Sequence, residues 1–327
     1  MEIRAATEQD IPDIVVLLKQ TLGEALLPKS VEYWRWKHLN NPFGTSPVLL
    51  ALDKEEIIGV RAFMRWQWVG EKGIYNAVRA VDTATHPDHQ GKGVFKKLTL
   101  TLVDFCKNHG DDFVFNTPNH QSKPGYLKMG WQEGGRLPIY VTIQRPFHIA
   151  KNLIRNEKTL VAENSAIKYY LDHPDLSQLL VACRGQTKNI VTNVSPSYLR
   201  WRYLDVPLAS YVAIGEEEGK ELKGLIIGRI KNGRLGREFR ITDFFLKRNH
   251  KAEELMKQFK VSKKTWNIDF CTLSGTSPEW NRQLLGRFNL RLSAGPVVTV
   301  RDLKLTELNC FKNFNKWSPS LGDLELF

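Results

Sequence analysis

The sequence predicts an α/β (α+β) protein of two similar domains in tandem. Its 327 residues are long for one domain and comfortable for two, each with a core of useful size. Strand-like runs alternate with helix-period runs along the chain. The segment SVEYWRWKHLNNP (Ser30–Pro42) returns as SPSYLRWRYLDVP (Ser195–Pro207) with six of thirteen positions identical, where chance gives fewer than about one. A period of roughly 155 to 165 residues is far too long for a solenoid and means two whole domains.

The elements after the repeated segment correspond in order. VLLALDKEEIIGVRAFMRWQW and SYVAIGEEEGKELKGLIIGRI each read as a β-hairpin around an acidic turn, reaching Gly59 and Gly228. NAVRAVDTATHPDHQGKGVFKKL faces REFRITDFFLKRNHKAEELMKQF, strand then helix, with Asp82 opposite Asp243. DDFVFNTP faces WNIDFCTL, and YLKMGWQE loosely faces LLGRFNLR; the strand-like runs LPIYVTI and GPVVTVRDL follow. The expected division is 1–148, 160–305 and a tail at 306–327, with the boundary near 146–165. The Tyr-x-Arg-Trp motif in both copies reads as aromatic burial on a helix with a locally paired Arg. Trp66 and Trp68 alternate along a strand and suit either an acceptor groove or packing against a helix.

With 42% hydrophobic and 25% charged residues and no low-complexity tract, the chain has the composition of a globular protein. No apolar run approaches the roughly 18 residues of a membrane span, and no secretory leader opens the chain, so a cytoplasmic location is expected. Cys106, Cys183, Cys271 and Cys310 stand singly, without CxxC spacing or a nearby His, so buried thiols and no metal are expected. The net charge of +12 is lopsided: residues 1–150 carry 18 basic and 16 acidic side chains, the remainder 29 and 19. Such a field favours polyanionic partners without choosing among them.

One loop distinguishes the copies. The first has Gln90-Gly91-Lys92-Gly93 between strand and helix; the second has Asn249-His250-Lys251-Ala252, without glycine. Glycines at a helix N-terminus let backbone N–H groups approach a phosphate at the positive end of the helix dipole, and Lys92 and Lys96 add charge. The spacing fits neither a P-loop nor the dinucleotide fingerprint.

Pro87-Asp88-His89-Gln90-Gly91-Lys92-Gly93-Val94 resembles the acyl-coenzyme A loop of the GNAT (GCN5-related N-acetyltransferase) superfamily, with Phe95 where that family usually has Gly or Ala. MEIRAATEQDIPDIVVLL looks like the family's first strand and helix, Thr7 and Asp10 forming a capping-box-like pair. Asn116, Asn119 and Tyr126-Leu127-Lys128-Met129-Gly130-Trp131 resemble its later strand, helix and Y-x-x-x-G-F segment. The resemblance implies two tandem GNAT-like domains, each a mixed central β-sheet flanked by helices, the second degenerate.

It also implies an N-acyltransferase moving an acyl group from acetyl-CoA, or another acyl-CoA, to a small-molecule amine by direct attack in a ternary complex. Thr83, Ala84 and Thr85 would lend backbone groups to the pantetheine arm, and Gln90, Gly91, Lys92, Gly93 and Val94 would cradle the pyrophosphate. Asn116 and Asn119 would meet the pantetheine amides. Tyr126 would protonate the leaving thiolate, and Asp82 is the candidate base, with a structural carboxylate as the alternative. His86 and His89 read as exposed loop residues. Other readings stay open: a transfer-RNA-dependent aminoacyl transferase, or a non-catalytic protein that senses acyl-CoA or binds nucleic acid. No helix-turn-helix, RNP or zinc motif supports nucleic acid as partner.

Overall fold

The computed structural model describes residues 1–23, 28–154, 166–184, 189–274, 283–286, 289–293, 295–305 and 309–324. They form two compact units, one joining Met1–Gly135 to Pro296–Lys316, the other Arg136–Gly295 to Trp317–Leu326. Residue 160, the expected start of the second domain, and residues 306–308 and 325–327 of the expected tail lie outside the described residues.

The first unit contains β1 (Glu2–Ala5), α1 (Ile11–Leu22), α2 (Val31–His38), β2 (Val48–Asp53), β3 (Glu56–Gly70), β4 (Gly73–Thr85), α3 (Val94–Asn108), β5 (Phe113–Asn116), α4 (Lys123–Lys128) and β6 (Gln132–Arg136). Thr7 and Asp10 form the expected capping box. Two N–H groups of Arg4 bind the Asp10 carboxylate at 2.6 and 2.8 Å and hold it well below the usual carboxylate range. Ile11, Ile14, Val15 and Leu18 then pack with Leu50, Val60, Ala62 and Ala84 on one face of the sheet. The alternate residues Leu49, Ala51, Phe63 and Ala80 face Val94, Leu98 and Leu102 of α3. Period-two alternation thus gives the sheet two apolar faces, each large buried side chain contributing about 1.5–3 kcal/mol. Gly59 sits where α3 crosses β3: a Cβ there would lie 2.7 Å from Val94 Cγ1.

The second unit contains β7 (Ile139–Ile143), α5 (Pro146–Ile154), α6 (Ala166–Leu171), α7 (Leu176–Arg184), β8 (Val191–Thr192), α8 (Pro196–Tyr203), β9 (Val212–Glu218), β10 (Glu221–Gly233), β11 (Gly236–Leu246), α9 (Glu253–Thr265), β12 (Phe270–Leu273) and β13 (Leu290–Leu292). The repeated segment does the same work in both units. Ser30 Oγ accepts from Tyr33 N–H at 3.0 Å, and Ser195 Oγ from Tyr198 N–H at 3.1 Å, each capping an eight-residue helix. Tyr33, Trp36, Tyr198 and Trp201 are buried, while Arg35 pairs with Glu8 and Arg200 with Asp172.

The strand order departs from a contiguous division. The first sheet runs β1-β2-β3-β4-β5-β14-β6, where β14 (Val297–Asp302) lies antiparallel beside β5; the second runs β13-β7-β12-β11-β10-β9. The strand closing each repeat in sequence, LPIYVTI or GPVVTVRDL, therefore pairs in the other unit: β7 beside β12 and β14 beside β5. An alternating apolar run specifies a strand and its buried face, not its neighbour, so two interchangeable runs left the exchange open.

Trp66 and Trp68, 1% and 0% exposed, pack on Phe115 with ring centroids 6.3 and 5.3 Å away, and belong to the core, not to a groove. Among the described residues no helix is long and apolar enough to cross a membrane, and no cluster of three His, Cys, Asp or Glu could hold a metal.

Candidate active site

The glycine loop lies between β4 and α3. Gly91 and Gly93 hold φ of +74° and +80°, and a Cβ on either would meet nothing within 4 Å. Left-handed backbone, not crowding, therefore demands glycine here. Gln90 Nε2 donates to the Thr85 carbonyl at 3.2 Å, tying the loop to the strand end. Gln90, Lys92 and Lys96 are exposed, whereas Val94 is buried under the helix it opens. Among the described residues no side chain caps α3, a 15-residue helix.

The matching place in the second unit is filled from within. Glu216 accepts from Leu255 N–H in the first turn of α9 at 3.1 Å and meets His250 Nε2 at 2.8 Å. Glu216 pairs with Gly224 across the hairpin as Ala51 pairs with Gly59, so the first unit has a methyl group where the second has a carboxylate. A helix N-terminus favours an anion, and in the second unit the chain supplies it.

Beside the loop the sheet opens. Ala77–Arg79 of β4 pair with Phe113–Phe115 of β5, but β4 runs on to Thr85. Arg61 pairs with Thr83 and Ala62 with Val81, leaving Asp82 as the extra residue of a bulge at φ +34°. Thr83 and Thr85 are half-buried, and Ala84 packs in the core beneath α1.

Asp82 is fully engaged. Lys37 Nζ lies 2.6 Å and His38 Nε2 2.9 Å from its Oδ2, and both partners, on α2, are buried. Those two groups, the Lys37 charge foremost, outweigh burial and hold the carboxyl well below the usual range. Burial lowers the His38 pKa, leaving a neutral imidazole. An ionised carboxylate only accepts, so Nε2 carries the ring proton and Nδ1, buried without a partner, has none. Lys37, Asp82, Tyr33 and Trp34 line a small cavity.

In the second unit Arg202 and Tyr203 replace Lys37 and His38, and the Tyr203 hydroxyl donates to Asp243. Burial and the nearby Asp323 push Asp243 up to about 7. The bulged residue there is Thr242, so Asp82 and Asp243 correspond by their α-helical partners and differ by one place in register.

Tyr126, on α4, is 4% exposed and accepts from Arg61 Nη2 at 2.7 Å, with Phe95 edge-on at 5.7 Å. A Cβ on Gly125 would meet Phe95 at 3.7 Å, an ordinary van der Waals contact. Asn116 is buried, its Oδ1 accepting from Thr299 Oγ1 of β14. Asn119 Oδ1 accepts from the N–H groups of Gln121 and Ser122 in the turn that leads into α4. Asp82 thus meets α2 on the side of the sheet that α1 covers, whereas Tyr126 packs in the cluster beneath α3, and the two asparagine oxygens are taken up locally. Sequence reasoning missed Arg61, Lys37, His38 and Glu216. The only signal was the basic-aromatic pair Lys37-His38 recurring as Arg202-Tyr203.

Residues 2–134 match the family model described as acetyltransferase (GNAT) domain. The chain carries a GNAT domain. Its fold resembles that of a conserved protein from Enterococcus faecalis V583 described as a probable N-acyltransferase, with TM-score 0.64 and 11% identity over 94% of this chain and 74% of that one. A GCN5-related N-acetyltransferase from Anabaena variabilis ATCC 29413 gives TM-score 0.63 and 14% identity over 92% and 73%, and one from Kribbella flavida 0.56 and 13% over 93% and 71%. At such identities these structures speak for the fold alone. No curated protein matches the chain. The GNAT match ends at 134, whereas the first sheet takes β14 from beyond residue 295.

Proposed function

We propose that the protein is an N-acyltransferase that uses an acyl-CoA, acetyl-CoA in the first instance, to acylate a small-molecule amine. The observation that carries this reading is the pair of left-handed glycines before a helix no side chain caps, set against a second copy whose Glu216 fills that place. The loop suits the coenzyme: open space above Gly91 and Gly93, free approach to the first turn of α3, and Lys92 and Lys96 beside it. Gln90–Val94 would hold the pyrophosphate and the β4 edge at Thr83–Thr85 the pantetheine arm. The coenzyme supplies a thioester, a carbonyl activated for attack with a thiolate as leaving group.

This chain's residues supply the rest by holding and moving protons. Tyr126 donates to the leaving sulfur. Asp82 orients; it is not the base, since protonating it would leave the Lys37 ammonium buried without its partner. The imidazole that Asp82 orients is itself buried, bare nitrogen included, so Asp82 and His38 form a structural pair in this reading and the amine proton passes to solvent. Asn116 and Asn119 are left their amide N–H groups for the pantetheine.

Calorimetric titration with acetyl-CoA tests the reading, with a Gly91→Glu, Gly93→Glu double variant as control. Wild-type binding at about micromolar affinity, weakened at least about 100-fold in the folded variant, is expected. Absence of wild-type binding would refute it.

A further inference from the structure

Arg61 is 0% exposed, yet among the described residues it meets no carboxylate. Its Nη2 donates to Tyr126 Oη at 2.7 Å, Nη1 reaches the Val81 carbonyl only at 3.4 Å, and Nε is buried without a partner. The guanidinium carbon lies 4.9, 5.6 and 5.5 Å from the ring centroids of Phe63, Phe95 and Tyr126. Aromatic faces return less to a desolvated cation than its burial costs. Stability alone does not account for the charge.

The second unit shows the apolar solution at the same place. Gly59 and Gly224 match, each pressed against the following helix, and two residues further on stand Arg61 and Ile226. In the aligned YLKMGWQE and LLGRFNLR segments Tyr126 faces Leu284. Ile226 and Leu284 share one hydrophobic cluster. Among the described residues the Arg–Tyr pair thus stands in the copy with the glycine loop, and Ile226 and Leu284 in the other.

We infer that Arg61 is a positioning residue of the transfer step, holding the Tyr126 oxygen by a lone pair so that the phenolic proton is directed to the departing sulfur. The inference rests on the acyl-CoA reading above. A guanidinium only donates, so its bond to Oη leaves the O–H of Tyr126 uncommitted. Tyr203 is the contrast: its proton is given to Asp243. As the amine attacks, the C–N bond forms and the C–S bond breaks. Sulfur leaves with the bonding electron pair and takes the Tyr126 proton, while the proton lost by the nitrogen goes to solvent. The phenolate left behind faces Arg61 until solvent reprotonates it. The charge lacks a counter-ion at rest and gains one only as the reaction proceeds, so the interaction strengthens where it accelerates the step.

The test compares calorimetric affinities for coenzyme A and desulfo-coenzyme A, which lacks the sulfur. Wild type is expected to prefer coenzyme A about tenfold, the scale of one hydrogen bond to a charged group. Arg61→Met, an apolar replacement of similar length, and Tyr126→Phe should bind both ligands equally. In turnover Arg61→Met should lower kcat by about 100-fold with little change in the KM for acetyl-CoA, and Arg61→Lys should recover part of it. Equal weakening of both ligands in Arg61→Met, or a wild type that binds both without preference, would overturn the inference alone. A wild type that binds neither removes the acyl-CoA reading beneath it.

Discussion

The two units are built to one plan and differ in who supplies the charges. At the helix N-terminus after the central strand, the second unit uses its own Glu216, and the first presents glycines and an open approach. At the carboxylate facing the repeated helix, Lys37 holds Asp82 ionised, whereas Asp243 sits among Tyr203, Arg202 and Asp323 with its pKa raised. Position in the fold therefore does not determine what a carboxylate does; the charge opposite it does. The second unit answers the electrostatic demand of its helix start from within, and the first, among the described residues, does not.

The strongest way to break the comparison is to separate the units. Residues 1–148 alone lack β14, which covers β5, and are expected to give no cooperative thermal transition by circular dichroism. Native-like melting of that fragment would mean that its own β7 can take the place of β14. Next in size, Asp82→Asn should cost about 3–5 kcal/mol in denaturant unfolding, because it leaves Lys37 buried without its carboxylate. Glu216→Ala should cost about 1–2 kcal/mol, the loss of a helix cap, and leave acetyl-CoA affinity unchanged. A change in that affinity would mean that the second unit takes part in binding.

The smallest effect is in pH dependence. The raised Asp243 stabilises the folded state while protonated, a contribution complete below its unfolded pKa of about 4 and lost as pH rises through about 7. Asp82 has the opposite sign: its contribution is present above about pH 4 and fades as pH falls toward its depressed native value. Asp243→Asn should thus flatten the decline in Tm between pH 5 and 8 by roughly 2–5 °C and leave the acid limb untouched.

Much of this plan was legible in the residues. Thr7 with Asp10, and Ser30 and Ser195 before their helices, announce caps by local hydrogen bonding, and the structure shows those bonds. Gly91 and Gly93 announce a backbone only glycine adopts freely, and both have positive φ. These signals act within a few residues, so the chain carries them openly. Arg61 meets Tyr126 across 65 residues of sequence and Glu216 meets Leu255 across 39, and no local pattern marks either pair.

By itself the sequence determined the two copies, their strands and helices, the faces those bury, and which copy has the glycine loop, because periodicity, capping and glycine are properties of neighbouring residues. Only the tertiary structure decided that β7 and β14 change places, that Asp82 is occupied by Lys37 and His38, and that Arg61 stands beside Tyr126. Strand pairing and charge partnership are settled by which distant segments the packed core brings together. A period-two pattern or a lone charged residue is compatible with many such partners, and packing selects one.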